Sequence, residues 1–394
     1  MMDRSRVLDD ARGMRDWLVA TRRELHRHPE LGHAEYVTAG IIRKTLDELG
    51  IAYTTLDTAV IAMISGARPG PTVALRADID ALPVSEQTGL PFASVHEGRM
   101  HACGHDAHTA ILLGAGRWFA ERRDRLTGNV KLLFQPAEET VGGADRMIQA
   151  GCLEDPHVDF VLGLHVMPYL PVGRIETRKG ALNGCSTTLR ATIKGKGGHG
   201  AYPETTIDAV LIACQVVVAL NTLVSRIVSP LDAAVLTVGT IQGGTASNIV
   251  AEEVHFAATL RATSDAVRDT LVERAKAIVE GISAAYGGSG NLEVSYGYKA
   301  LINHDTAVDI VAAAADEVLG PGSLDWKDKP SMGVEDFSFF LKERPGAFYH
   351  LGCGNPEQGQ RSPLHSATFN LDEDCLPLGV AMQVIATLRY LDGS

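Results

Sequence analysis

The stretch 101-HACGHDAHTA-110 places one cysteine, three histidines and an aspartate within eight residues. Three kinds of chemistry use such a set: a thiolate nucleophile with an imidazole base, a disulfide, or a metal site. In an extended segment, residues two apart point the same way, so Cys103 and His105 can offer a thiolate and an imidazole to one ion. Where the chain then turns helical, free N–H groups together with Asp106 can order the turn. Further candidates lie far along the chain. Glu138 and Glu139 follow Pro136, where the backbone can turn one carboxylate to a metal and its neighbour to a water. His165 ends an apolar run, and His365 lies in 363-PLHSATFN-370. A lone histidine is more often a hydrogen-bonding partner than a ligand, and adjacent glutamates are usually solvated. Only convergence of these residues would make a site.

The elements that must bring them together are legible as patterns. Near-continuous apolar runs at 60–65, 72–78, 130–135 and 160–166, with a helical pattern from Ala107 to Arg122, predict a mostly parallel sheet covered by helices. Such a sheet binds ligands beyond the carboxyl ends of its strands, which is where Asp78, Asp80, Glu138, Glu139 and His165 fall. Upstream, Leu8, Ala11, Met14, Leu18 and Leu25 predict a helix stopped by Pro29, and a second helix follows from Tyr36 to Leu49. From residue 184 the order changes to a strand (187–195), a helix (206–224), two strands (233–242, 249–262), a helix (265–285) and a strand (292–298). That βαββαβ order predicts a ferredoxin-like module. The αβ pattern returns with a helix at 305–319, a strand at 347–352 and a last helix from Asp374. The expected fold class is therefore α/β: a catalytic domain in two pieces, 1–183 and 299–394, around an inserted domain at 184–298.

Composition narrows the function classes. At 394 residues the chain exceeds one ordinary core, and 45% hydrophobic with 21% charged residues is typical of a soluble globular protein. A net charge of -12 repels phosphate backbones and anionic membranes, so no nucleic-acid or membrane partner is expected. The N-terminal stretch MMDRSRVLDDARG has no apolar core, and 209-AVLIACQVVVAL-220 is short and interrupted by Gln215, which predicts a buried helix. A cytoplasmic location follows from this reading. The six cysteines lie far apart with no CxxC pair, which suggests neither a disulfide framework nor a zinc ribbon. Two motif-like segments fail on spacing. In 195-GKGGHG-200 four residues and the wrong element order separate the glycines from the helix, and in 96-HEGRMH-101 the histidines are five apart.

The quoted motifs resemble those of the co-catalytic metal amidohydrolases, the family of aminoacylase, carboxypeptidase G and acetylornithine deacetylase. The chain is most similar to the subgroup of hippurate hydrolases, N-acetylamino acid deacetylases and auxin-conjugate hydrolases. The likeness runs through 24-ELHRHPELG-32, 75-LRADIDALP-83, 100-MHACGHDAHTA-110, 134-FQPAEE-139, 163-GLHVMP-168, 198-GHGAYP-203, 246-ASNIV-250, 332-MGVEDFS-338 and 365-HSATFN-370. It implies a catalytic α/β domain with an inserted lid through which the chain forms a homodimer or higher homo-oligomer.

Residue by residue, the resemblance implies that Cys103, His105, Glu139, His165 and His365 hold two divalent ions (Zn, Mn, Co or Ni) and that Glu138 is the general base. Where the wider family has HxD, this chain has Arg76 and Asp78, which places Asp78 behind the ligands. In the lid, His199 matches a histidine that serves the partner subunit's site, and Asn248 and Arg261 match binders of the substrate carboxylate. Two ions sharing a water would bring its pKa from about 16 toward 7. The expected reaction is hydrolysis of the amide bond of an N-acyl amino acid, with an acetyl, benzoyl or similar acyl group, to a carboxylic acid and a free amino acid. A dipeptidase or carboxypeptidase-type metallopeptidase using the same machinery, a cysteine hydrolase built on Cys103, and a non-catalytic binding protein of the same fold are the competing readings.

Overall fold

Strands form where apolar side chains run without interruption. In the computed structural model, which describes residues 3–140, 142–358 and 362–393, the segment Thr72–Asp78 is buried almost throughout, as is Gly346–Gly354. Residues 359–361 of the Gly/Pro-rich loop before His365, and Met1 and Met2 of the N-terminal stretch, lie outside the described residues. One eight-stranded sheet has the order Ala52–Leu56, Ala59–Ser65, Thr127–Gln135, Arg68–Asp78, Phe160–Pro171, Gly346–Gly354, Ile175–Thr177 and Leu324–Trp326. Its four central strands are parallel, and antiparallel pairings join Ala59–Ser65 on one side and Ile175–Thr177 on the other. The sheet is thus mixed and parallel at its centre. Helices His105–Ala120 and Cys375–Leu391, nearly all buried, pack on each other against it. Gly114 allows the approach, since a Cβ there would come within 2.7 Å of both Leu18 and Val380.

Register aligns the strand ends. Asp78 pairs with Gln135, Arg76 with Gly163, and His350 with His165. Chain order changes direction across Arg68–Asp78, whose neighbours are Thr127–Gln135 on one side and Phe160–Pro171 on the other, the switch point at whose carboxyl ends such sheets bind ligands.

By its internal contacts the chain divides into two compact units: residues 1–180, 302–329 and 336–394 in the first, and 181–301 with 330–335 in the second. The second unit carries an antiparallel sheet ordered Ala234–Gly243, Glu253–Ala262, Cys185–Lys194, Ser289–Tyr296. Numbered along the module that order is 2-3-1-4, the ferredoxin-like arrangement, with helices Ala209–Arg226 and Asp265–Ala285 packed on the sheet. Period-two burial in Glu253–Ala262 turns Val254, Phe256, Ala258 and Leu260 into the core. Asp208 caps the first helix by accepting from the N–H groups of Val210 and Leu211 at 2.9 and 3.1 Å.

Three expectations are corrected. The first helical run breaks at Met14 into Val7–Gly13 and Arg15–Arg27. The strand expected at 249–262 is two strands, Ile249–Val250 and Glu253–Ala262, of which the first pairs with Gly198–His199 instead of the four-stranded sheet. The helix at Ala209 runs 18 residues and is long and apolar enough to cross a membrane by length and composition alone; only one face, with Ile212, Val216 and Leu220, is buried. Leu211 and Val218 on its other face are 45% and 66% exposed, so the expectation of a buried helix held for one side only.

Candidate metal centre

Cys103 and His105 are not in one extended segment. Gly104 adopts φ +86, turning the chain so that His105 becomes the first residue of the helix His105–Ala120. Only glycine takes this conformation readily, and a Cβ at Gly104 would collide with Val166. The turn still directs both side chains to one place. Asp106 does not cap the helix; its carboxylate lies 2.7 Å from the guanidinium of Arg22 and 2.7 Å from Nδ1 of His26, all of them buried. These charges hold the Asp106 carboxyl well below its ordinary range despite burial.

Five residues named from the sequence converge in the first compact unit. The donor atoms of Cys103, His105 and His165 lie within 4.8 Å of one another, and so do those of Cys103, Glu139 and His365. Cys103 belongs to both groups. Its Sγ is 3.3 Å from His165 Nε2, while Glu139 Oε1 is 3.1 Å from His365 Nε2 and 3.9 Å from His105 Nε2. Glu138 forms a third group with His105 and Glu139 on the same scale.

The imidazoles are oriented from behind. His105 Nδ1 donates to the carbonyl of Asp80 at 2.9 Å and His165 Nδ1 to the carbonyl of Val166 at 2.8 Å, which turns each Nε2 inward as a lone-pair donor. Buried His105 Nε2 has no hydrogen-bond partner among the described residues, a cost that a cation at this point removes. Burial works against charge on His105, yet Asp78, Asp80 and Glu139 outweigh it and push its pKa up to about 10. The pocket therefore favours positive charge. A mixed thiolate, imidazole and carboxylate set fits a divalent transition ion.

The same field argues against a nucleophilic cysteine. Burial, then Glu139 and Glu138, push the Cys103 thiol well above its ordinary pKa, the reverse of what an attacking thiolate needs. The disulfide reading also fails, because all six cysteines are unpaired.

Asp78 is buried beside His105 and His108. Its carboxylate accepts from Arg76 at 2.7 Å and from His108 Nδ1 at 2.5 Å. His108 Nε2 in turn accepts the N–H of Val166 at 2.9 Å, so His108 ties Asp78 to the strand Phe160–Pro171, where His165 lies at mid-strand and not at the strand end expected from its apolar run. Arg76 is fully buried and also reaches Asp336 at 2.7 Å and Gln135 at 2.8 Å. Sequence reasoning missed this guanidinium as a hub; its signal was a charged residue inside the apolar run 72-TVALRAD-78.

The three lid residues lie in the second unit. His199 and Asn248 are exposed neighbours on and beside the pairing of Gly198–His199 with Ile249–Val250. Arg261 lies out of phase with the buried residues of its strand, so it points from the sheet face opposite the helices, and its Nη1 is buried with no hydrogen-bond partner among the described residues.

The chain is similar to known proteins over nearly its whole length. Residues 74–387 match the family model described as peptidase family M20/M25/M40. The chain is 41% identical over 383 residues to N-acetyl-L-cysteine deacetylase of Bacillus subtilis, covering 96% of this chain and 89% of that one. It is 36% identical over 391 residues to thermostable carboxypeptidase 1 of Saccharolobus solfataricus, covering 98% of each. Among solved structures it resembles the YXEP protein of Bacillus subtilis, described as a dinuclear metal-binding peptidase of the M20 family, with a TM-score of 0.85, 33% identity, and 97% and 99% of the two chains covered. On the extent of these matches, the chain belongs to peptidase family M20/M25/M40.

Proposed function

We propose that this chain hydrolyses the amide bond of N-acyl amino acids, releasing a carboxylic acid and a free amino acid. The observation that carries this is the pair of donor groups sharing Cys103, with Glu138 beside them on the peptide that also carries Glu139. Cys103, His105 and His165 would hold one divalent ion and Cys103, Glu139 and His365 the other. Bound there, the ions supply Lewis acidity that acidifies a water and polarises the substrate carbonyl.

The chain's own groups do the rest. Glu138, nearly buried, accepts the proton of the attacking water and returns it to the departing nitrogen, without which an amine leaves poorly. In the lid, His199 would serve the oxyanion developing in the partner subunit's site, and Asn248 with Arg261 would bind the substrate carboxylate; the unpartnered Nη1 of Arg261 supports that role. A homodimer through the lid is supported by the exposed row of Leu211, Cys214 and Val218 on one helix face. Six unpaired cysteines support a reducing, cytoplasmic setting.

The test is a panel of N-acetyl and N-benzoyl amino acids and dipeptides, assayed after removal of metal and after reloading with Mn²⁺, Co²⁺, Ni²⁺ or Zn²⁺. Activity should vanish with chelation, return with metal, and favour the N-acyl substrates. Full activity in metal-free protein, or irreversible loss on thiol alkylation of fully metal-loaded protein, overturns the proposal. Preference for peptides would move the chain to the carboxypeptidase-type reading that its Saccharolobus relative supports.

A further inference from the structure

Asp80 follows the strand Arg68–Asp78, and its side chain is only 1% exposed. Its two carboxylate oxygens face consecutive peptide groups: Oδ1 accepts the N–H of Glu138 at 3.1 Å and Oδ2 the N–H of Glu139 at 3.0 Å. Its main-chain carbonyl accepts from His105 Nδ1 at 2.9 Å, and Oδ1 is 3.4 Å from the same nitrogen. One residue thus touches the backbone of two site carboxylates and the ring of one imidazole.

The turn it holds would not keep this shape unaided. Ala137 has φ +60, a left-handed conformation that an L side chain adopts only against a steric cost. The N–H of Ala137 is itself taken by Glu35 Oε1 at 3.0 Å. Three successive N–H groups, of Ala137, Glu138 and Glu139, therefore converge on buried carboxylates, a concave cluster of backbone donors closed around anions. With the backbone pinned, Glu138 and Glu139 leave the turn at fixed points, and donor atoms of both lie within 4.8 Å of those of His105.

We propose that Asp80 is a positioning residue: by clamping the peptides of Glu138 and Glu139 and the ring of His105, it sets the distance between the proton acceptor and the metal-holding groups. This rests on the reading of the site given above. A displacement of about 1 Å in such a constellation costs on the order of 100-fold in rate, and loss of a group that orients metal-binding side chains typically weakens metal affinity by about 10- to 100-fold.

The variant is Asp80→Asn, which keeps size but turns an NH₂ group onto a peptide N–H; Asp80→Glu keeps the charge and displaces it. Asp159→Asn is the control. The Asp159 carboxylate accepts the N–H of Thr72 at 2.8 Å at the opposite end of the same strand, so it reports a backbone clamp with no access to the site. Each protein is loaded with Co²⁺ and measured for Co²⁺ dissociation constants by titration, for the thiolate-to-cobalt absorption band, for kcat and KM on the best panel substrate, and for Tm. Asp80→Asn should lose about 100-fold in kcat with KM within threefold, bind at least one Co²⁺ about tenfold more weakly, and shift the absorption band. Asp80→Glu should fall in the same direction, and Asp159→Asn should change Tm alone. Metal affinity, spectrum and kcat all at wild-type values in Asp80→Asn overturn the inference, as does failure of both Asp80 variants to fold, which would make Asp80 a prop of the fold. A wild-type chain that binds no Co²⁺ refutes the metal reading itself, a different outcome from either.

Discussion

The replacement Glu138→Gln isolates the proton acceptor. The peptide N–H of residue 138 stays on Asp80, because that bond belongs to the backbone, and the amide has the shape of the carboxylate it replaces. Cys103, His105, Glu139, His165 and His365 keep their contacts with one another. What disappears is the ability to take a proton, in a residue 7% exposed where bulk water is a poor substitute. General-base catalysis is worth about 10²- to 10⁴-fold, or roughly 3 to 5 kcal/mol of barrier. Loss of kcat in that range is expected, with KM within about threefold, because the substrate is held by other groups. Metal content per chain should equal the wild type, and Tm should move little, since the amide keeps the size and shape of the carboxylate. Steady-state kinetics on the best panel substrate, elemental analysis of the dialysed protein and thermal melting are the assays. If kcat falls less than tenfold while metal content holds, Glu138 is not the base. If metal is lost together with activity, Glu138 is a ligand, and its grouping with His105 and Glu139 has to be reinterpreted.

Three further outcomes follow from the same geometry. Arg76→Met strands the buried carboxylates of Asp78 and Asp336, and should cost about 3–5 kcal/mol in urea unfolding; adding Asp336→Asn should recover part of it, and a loss below about 1 kcal/mol would show that the cluster carries little. Glu176 accepts from Tyr169 at 2.6 Å, Lys327 at 2.8 Å and His350 at 2.8 Å, which lower its pKa to about 2 against burial. Its stabilisation is complete above the ordinary pKa of 4.5 and is lost as pH falls toward 2, so the Tm gap between wild type and Glu176→Gln should shrink over that window; a constant gap would contradict the assignment. Val218→Glu puts a charge in the exposed row of the lid helix and should convert a dimer to monomer by light scattering, while an unchanged mass would place the interface elsewhere.

Helix and strand positions were legible because their signals are local. The helices Asp265–Ala285 and Asp305–Leu319 fall where their periodicity put them, and the central strands begin within a few residues of their apolar runs. The misses have one cause. Gly104 was read as part of an extended segment because nothing in 101-HACGHDAHTA-110 announces its left-handed turn, which the packing of Val166 and Phe369 requires. Likewise Asp106 was expected as a cap, but a carboxylate that can reach a buried guanidinium and an imidazole gains more there than at a helix end, and Arg22 and His26 lie some eighty residues away.

The amino-acid sequence by itself determined the α/β class, the βαββαβ insertion and the candidates Cys103, His105, Glu138, Glu139, His165 and His365, because residue type and local periodicity carry that information. Only the tertiary structure decided that Cys103 is shared by two donor groups, that Arg76 binds Asp336 across 260 residues, and that Asp80 clamps the Glu138–Glu139 peptides. Those are relations between distant segments, set by strand register and by the need of each buried polar group for a partner.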